Sequence, residues 1–259
     1  MARAYLEVFN VSMQFGDYVA LKDINLLVER GEFVSLIGHS GCGKSTLLSL
    51  IAGLARASRG GISLDNREIK SPGSDRAMVF QNYSLLPWMN VYQNVYIAVD
   101  AILNVSVDEK KETTEKYLKM VGLWDHREKR PAEISGGMKQ RVAIARAFAV
   151  HPKVLLLDEP FGALDPLKKS VMQDELITIW EKDKKTVLMV THDIDEAIYL
   201  SDRIVVMTNG PAAGIGEIIE VKLERPRSRK DIMRSPVYTE TKEHLLYLLS
   251  EVYGQKMAV

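Results

Sequence analysis

The residues best suited to chemistry lie in one short stretch, Gly38-His39-Ser40-Gly41-Cys42-Gly43-Lys44-Ser45-Thr46, which fits the spacing G-x-x-x-x-G-K-[ST]. Glycines at those intervals let backbone N–H groups curl around phosphate oxygens, and a helix starting at Lys44 adds the positive end of its dipole. Lys44 is then placed to reach the outer phosphates of a triphosphate, and Ser45 to offer its hydroxyl to Mg²⁺. An ordinary glycine turn is the competing reading. Average residue usage gives the pattern a chance of about one per cent in a chain this long.

A second group is Val154-Leu155-Leu156-Leu157-Asp158-Glu159. A carboxylate at the carboxyl end of a buried strand can hold Mg²⁺ or its water, which is the role for Asp158. Glu159 beside it can orient and deprotonate an attacking water. Acidic pairs are common in loops, so this pair gains its meaning from the phosphate loop upstream.

Both groups need elements to position them. Alternating apolar residues in 6–15 and 19–28, separated by Gly16-Asp17, predict a β-hairpin. Residues 33–37 predict a buried strand that runs into the glycine-rich turn. Residues 44–54 then predict a helix, with Leu47, Leu48, Ile51 and Leu54 at helical spacing. Residues 62–64 and 77–80 read as short strands, and 91–103 with 107–121 as a helical segment. Buried strands at 154–157 and 186–190 are each followed by a helical pattern, as a parallel sheet covered on both faces requires. Arg225-Pro226-Arg227-Ser228-Arg229-Lys230 reads as a charged linker. Residues 237–252 read as a helix with Leu245, Leu248, Leu249 and Val252 on one face.

At 259 residues the chain can bury a full core. Lys plus Arg and Asp plus Glu balance at 34 each, so no overall basic field exists to hold a nucleic acid or an anionic membrane surface. No apolar stretch approaches the roughly 18 residues that a spanning helix needs. The N-terminus shows no apolar signal region and the single cysteine, Cys42, cannot form an internal disulfide, which together favour the cytosol.

Ile134-Ser135-Gly136-Gly137-Met138, followed by Lys139-Gln140-Arg141, resembles the signature of ABC ATPases, usually written LSGGQ. Ile134 and Met138 depart from it, and both departures are expected to be tolerated because the backbone and Ser135 carry the phosphate contact. Further family elements match in order. Phe15 matches the aromatic that stacks on adenine, Gln81 the Q-loop, Ala163-Leu164-Asp165 the D-loop, and His192 the switch histidine. A plainer reading exists for three of these: Phe15 as a hairpin core aromatic, Gln81 as a solvated loop amide, His192 as a helix N-cap neighbour.

The resemblance implies an α/β fold, a P-loop NTPase (RecA-like) core with an N-terminal antiparallel β-subdomain and an inserted α-helical subdomain at about 85–150. It places an ABC ATPase domain at 1–225 and a C-terminal helical tail at 226–259. It implies ATP and Mg²⁺ as cofactors and ATP hydrolysis coupled to transmembrane transport. Glu159, His192, Gln81 and Lys44 would be catalytic. Nucleotide contacts would come from Phe15, Gly38, His39, Ser40, Gly41, Cys42, Gly43, Lys44, Ser45, Thr46, Ser135, Gly136, Gly137 and Asp165, and Mg²⁺ ligands from Ser45, Gln81 and Asp158.

Partners implied are transmembrane permease subunits, a second ABC ATPase chain, identical or paralogous, in a head-to-tail dimer, and indirectly an extracytoplasmic cargo-binding protein. No nucleic acid is implied, and the place is the cytoplasmic face of the plasma (inner) membrane, as a peripheral protein. Asn82-Tyr83-Ser84-Leu85-Leu86-Pro87-Trp88 lies where the family receives a coupling helix of the membrane subunit, with packing inside the helical subdomain as the alternative. Residues 85–92 and the tail around Arg225-Pro226-Arg227 are similar to importer ATPases for nitrate, cyanate, bicarbonate and sulfonates such as taurine, with nitrate the first expectation. Two rivals are a non-transport ABC ATPase, which usually carries coiled-coil insertions or basic patches, and a P-loop kinase, in which Ser135-Gly136-Gly137 would have no purpose.

Overall fold

A hairpin opens the chain because two alternating runs meet at Gly16-Asp17, where Gly16 takes φ 56. The computed structural model describes residues 4–162, 164 and 166–253. The first elements are β1 (Leu6–Phe15), β2 (Tyr18–Val28), β3 (Phe33–Ile37), α1 (Lys44–Ala52), β4 (Arg59–Leu64), β5 (Arg67–Glu68) and β6 (Arg76–Val79). Then come α2 (Val91–Ile102), α3 (Val107–Met120), α4 (Gly136–Ala149), β7 (Val154–Asp158) and α5 (Pro166–Asp183). The chain closes with β8 (Thr186–Val190), α6 (Ile194–Leu200), β9 (Arg203–Met207), β10 (Ile215–Glu220), α7 (Arg229–Ile232) and α8 (Pro236–Tyr247). The described residues up to Pro72 and from Lys184 onward make one compact unit, and Gly73–Asp183 makes another.

In the first unit, β1 pairs antiparallel with β2, and Phe15 faces Tyr18 across the two-residue turn. Burial along β1 alternates on either side of a bulge at Phe9-Asn10, so Leu6, Val8, Val11 and Met13 are buried, and the sheet runs β2-β1-β4-β5. A second sheet segment runs β10-β9-β3-β8. Here β3 lies parallel between β8 and β9, and β10 is antiparallel on β9. Every residue of β3 is buried, as a central parallel strand demands. Its polar member, Ser35, is satisfied by the Ser201 hydroxyl.

Helix α1 stops two residues earlier than its apolar spacing predicts. Gly53 takes φ 76, its N–H returns to Leu50, and the Leu54 N–H returns to Ser49. A side chain at Gly53 would begin 2.4 Å from the Ser71 carbonyl oxygen, so only glycine fits this stop.

The tail corrects one expectation. The stretch 225–230, read as a charged linker, has Pro226, Ser228 and Lys230 exposed but docks two of its arginines on the fold. Arg227 is 7% exposed and donates to the carbonyls of Ile198, Tyr199 and Ser201 at the end of α6, while Arg225 bonds Asp202 and the Leu200 carbonyl. Cations at a helix C-terminus satisfy its last carbonyls and its dipole together. After α8 the helix widens into a π-helical turn, Leu248–Val252. That turn shifts the phase, so Leu245 and Leu248 are buried while Val252 is 47% exposed.

In the second unit, β6 and β7 pair parallel, Arg76 against Val154 through Val79 against Leu157. Helices α2, α3 and α4 pack on one another. Val91, Val95 and Val99 form the buried stripe of α2 at a spacing of four. Capping boxes start two of these helices, Asn90 with Gln93 for α2 and Ser106 with Glu109 for α3. Among the described residues, no helix is long and apolar enough to cross a membrane.

Candidate nucleotide site

In the first unit, β3 delivers the chain into the phosphate loop. Gly38, Gly41 and Gly43 take φ 155, 81 and 86, a backbone that side chains rarely allow. A Cβ on Gly38 would lie 2.8 Å from Cys42 Sγ, and one on Gly43 would lie 2.5 Å from Leu21 Cδ2. The loop is thus closed tightly over its own thiol, and Cys42 is 1% exposed. Lys44 is 7% exposed, and its ammonium donates to the carbonyls of Gly38 and His39, each at 2.8 Å. Those bonds hold the cation against the loop. Helix α1 begins at Lys44 with no side-chain cap and no acidic residue in its first turn, which also holds Ser45 and Thr46. Such a start favours an anion. Ser40 and Gly41 are exposed, as is Ser45. The His39 ring leaves the loop and donates from Nε2 to the Leu249 carbonyl in the tail at 2.8 Å.

Two more predicted residues sit in this unit. Phe15 is 54% exposed, so it is not a hairpin core aromatic. His192 is exposed after β8, and the helix cap beside it is Asp193, whose side chain accepts from the Glu196 N–H. Sequence reasoning missed Tyr18 and Gly210. A Cβ on Gly210 would lie 3.1 Å from the Tyr18 hydroxyl and 3.5 Å from the Gly41 carbonyl oxygen, so hairpin tip, phosphate loop and the 209–213 loop meet. No local spacing announces that meeting.

The second unit brings the acids and Gln81 together. Asp158 ends β7 and Glu159 follows with φ 44, an uncommon backbone for a side chain other than glycine. Gln81 is exposed, and its amide nitrogen donates to Glu159 Oε2 at 3.1 Å. Its other amide atom is an oxygen, a hard donor of the kind Mg²⁺ prefers.

The signature residues begin α4. Ser135 is its N-cap and accepts from the Met138 N–H at 3.3 Å. Ile134 is 8% exposed, a buried place that suits an apolar side chain of leucine's volume. Met138 contributes its backbone to the cap, a use indifferent to the side chain. A Cβ on Gly136 or Gly137 would meet ordinary contacts, the Tyr83 hydroxyl at 3.9 Å and Leu164 Cδ2 at 3.8 Å. Nothing described within the chain demands glycine at either place. Asp165, with Ala163, lies outside the described residues.

Comparison with known proteins identifies the family. The family model "ABC transporter" matches residues 21–162. The nitrate import ATP-binding protein NrtD of Synechococcus elongatus is 52% identical over 235 residues, 90% of this chain and 86% of that protein. The bicarbonate transport ATP-binding protein CmpD of the same species is 52% identical over 250 residues, covering 95% of this chain and 90% of that one. Longer relatives are matched as well, and the chain spans 36% to 38% of their length. A solved structure titled as the dimeric post-hydrolysis state of the ATP-binding cassette MJ0796, bound to ADP and Pi, aligns with a TM-score of 0.75 at 32% identity. It covers 85% of this chain and 100% of that one. A glycine-rich phosphate loop after a buried strand, an acid pair after another and a capped signature helix therefore have one common explanation: the chain belongs to the ABC transporter family, as one of its ATP-hydrolysing cassettes.

Proposed function

We propose that the chain drives uptake of a small anion, with nitrate as the first cargo and bicarbonate as the alternative, by hydrolysing ATP on the cytoplasmic face of a membrane permease. The observation that supports the hydrolytic part best is the hydrogen bond from Gln81 to Glu159, which fixes a carboxylate at the end of a buried strand. Lys44 and the backbone of residues 38–46 bind the phosphates, and Phe15 stacks on the base. Glu159 takes the proton of the attacking water. His192 orients the terminal phosphate. Ser45, Gln81 and Asp158 each offer a side-chain oxygen of the kind Mg²⁺ prefers and are the residues that would hold it, and the ion would supply charge neutralisation on the phosphates.

Two chains pair head to tail, identical or paralogous, so that Ser135, Gly136 and Gly137 of one approach the nucleotide held by the other. The room for a Cβ at both glycines supports this, because a bare backbone is then kept for something outside the chain. Asp165 is assigned to the same interface. Trp88, 67% exposed in the segment after Gln81, is assigned to the permease contact. An extracytoplasmic cargo-binding protein completes the assembly.

The cargo rests on likeness to NrtD and CmpD, which stand at the same identity. The test is ATP hydrolysis by the complex purified with its permease and cargo-binding protein in lipid. Nitrate is expected to stimulate turnover and bicarbonate to leave it flat. Stimulation by bicarbonate alone would exchange the two cargoes, and failure to copurify with any membrane subunit would overturn the transport reading.

A further inference from the structure

The second unit holds a guanidinium that the roles above leave unused. Arg146 lies in α4 eleven residues beyond Ser135, which is about three helical turns and ~16 Å along the axis on nearly the same face. Its two terminal nitrogens donate to two successive carbonyls, Nη2 to Tyr83 and Nη1 to Ser84, each at 2.8 Å. Those carbonyls belong to an unusual turn. Tyr83 and Ser84 both take left-handed backbone, φ 62 and φ 46, although neither is glycine. Consecutive left-handed residues of this kind persist only where their surroundings hold them.

The turn sits two residues after Gln81. Downstream the same segment is held a second time. Asn94 of α2, fully buried, accepts from the Leu86 N–H at 2.8 Å and donates to the carbonyls of Leu86 and Met89, each at 3.1 Å. The segment is thus fastened to α2 at one end and to the signature helix at the other. At that second end the Tyr83 hydroxyl also lies against Gly136. Burial pushes the Arg146 guanidinium below its ordinary pKa, and the cost of desolvating it is offset by bonds from two separate nitrogens of one planar fork, a spacing that a single ammonium nitrogen does not reproduce.

We propose that Arg146 is a positioning residue for hydrolysis: by bridging the Tyr83 and Ser84 carbonyls it holds the turn that sets the Gln81 amide against Glu159, and so ties the signature helix to the hydrolytic acid. The inference rests on the hydrolytic reading of Gln81 and Glu159. Any shift of α4 when its signature end engages a nucleotide is carried to Gln81 through this bridge.

The test is a double-mutant cycle on the full chain, with steady-state ATP hydrolysis and thermal unfolding measured for the parent, Arg146→Lys, Gln81→Ala and the pair. Arg146→Lys is expected to lower kcat by about tenfold or more while KM for ATP moves less than about twofold. In the Gln81→Ala background the same substitution should cost less than about twofold, because both act through one contact. A purely structural arginine would lose the same factor in both backgrounds, and that result overturns the proposal. So does parental kcat in Arg146→Lys. If the lysine variant unfolds, Arg146→Gln, which keeps an amide donor, is read in the same cycle. A Glu159→Gln arm separates the two claims: hydrolysis at the parental rate there sinks the reading of the acid itself, whatever Arg146 does.

Discussion

Glu159 combines a strained backbone with a supported side chain. Its φ of 44 costs about 1 to 2 kcal/mol for a residue with a Cβ, a cost that glycine would avoid. What glycine lacks is the carboxylate that receives the Gln81 amide. Strain kept in place by a hydrogen bond at a strand end marks a functional residue more strongly than the Asp-Glu pair does in sequence. Glu159→Gln is expected to leave ATP binding intact and to lower turnover by about 10²- to 10⁴-fold, measured as phosphate release beside a nucleotide titration. Turnover near the parental rate would remove the residue from that role. At this scale the phosphate loop was legible because its letters are contiguous, so Lys44 and Ser45 could be named from spacing, and Asp158 and Glu159 from the end of a buried strand once that loop stood upstream. Tyr18, Gly210 and Arg146 were not, since each acts through residues distant in the chain, and Asn94 was not because its bonds to the loop of Leu86 and Met89 follow no recognised local pattern.

Elements were legible in proportion to the strength of their period. The hairpin, β3, α2 and α3 follow their apolar spacing closely. Strands β9 and β10 escaped notice: β9 is a short apolar run after a helix, and β10 is broken by Gly216 and only half-buried on its inner face. The charged stretch 225–230 misled for a different reason, because composition cannot show that an arginine has carbonyls waiting for it. Arg227 closes the end of α6 by bonding the carbonyls of Ile198, Tyr199 and Ser201. Arg227→Ala would remove these three charge-assisted bonds from a buried site, so it is expected to reduce the unfolding free energy by about 3 kcal/mol. Denaturant titration checks this. A loss under about 0.5 kcal/mol, the range of an ordinary surface change, would mean that the tail is held by its apolar contacts alone.

Over the whole molecule, 34 basic and 34 acidic residues leave no long-range field, so partners must be recognised through local shape and chemistry. The signature end of α4 is such a place, with Ser135 exposed beside two glycines at which, among the described residues, a Cβ would meet only ordinary contacts. If two chains close over shared nucleotide, specific hydrolytic activity of the purified chain rises with its concentration, as mass action on a dimer requires. A flat dependence would point to a different partner chain or a preassembled complex. All of these expectations presuppose that the loop from Gly38 to Ser45 binds the phosphates of ATP. The most direct measurement is a calorimetric titration of the purified chain with Mg-ATP, run beside Lys44→Ala. Saturable binding with a Kd below about 1 mM is predicted for the parent, with the variant at least about tenfold weaker because a charge-assisted phosphate contact is lost. Equal affinity in the two proteins, or no heat of binding in the parent at millimolar nucleotide, would contradict the account.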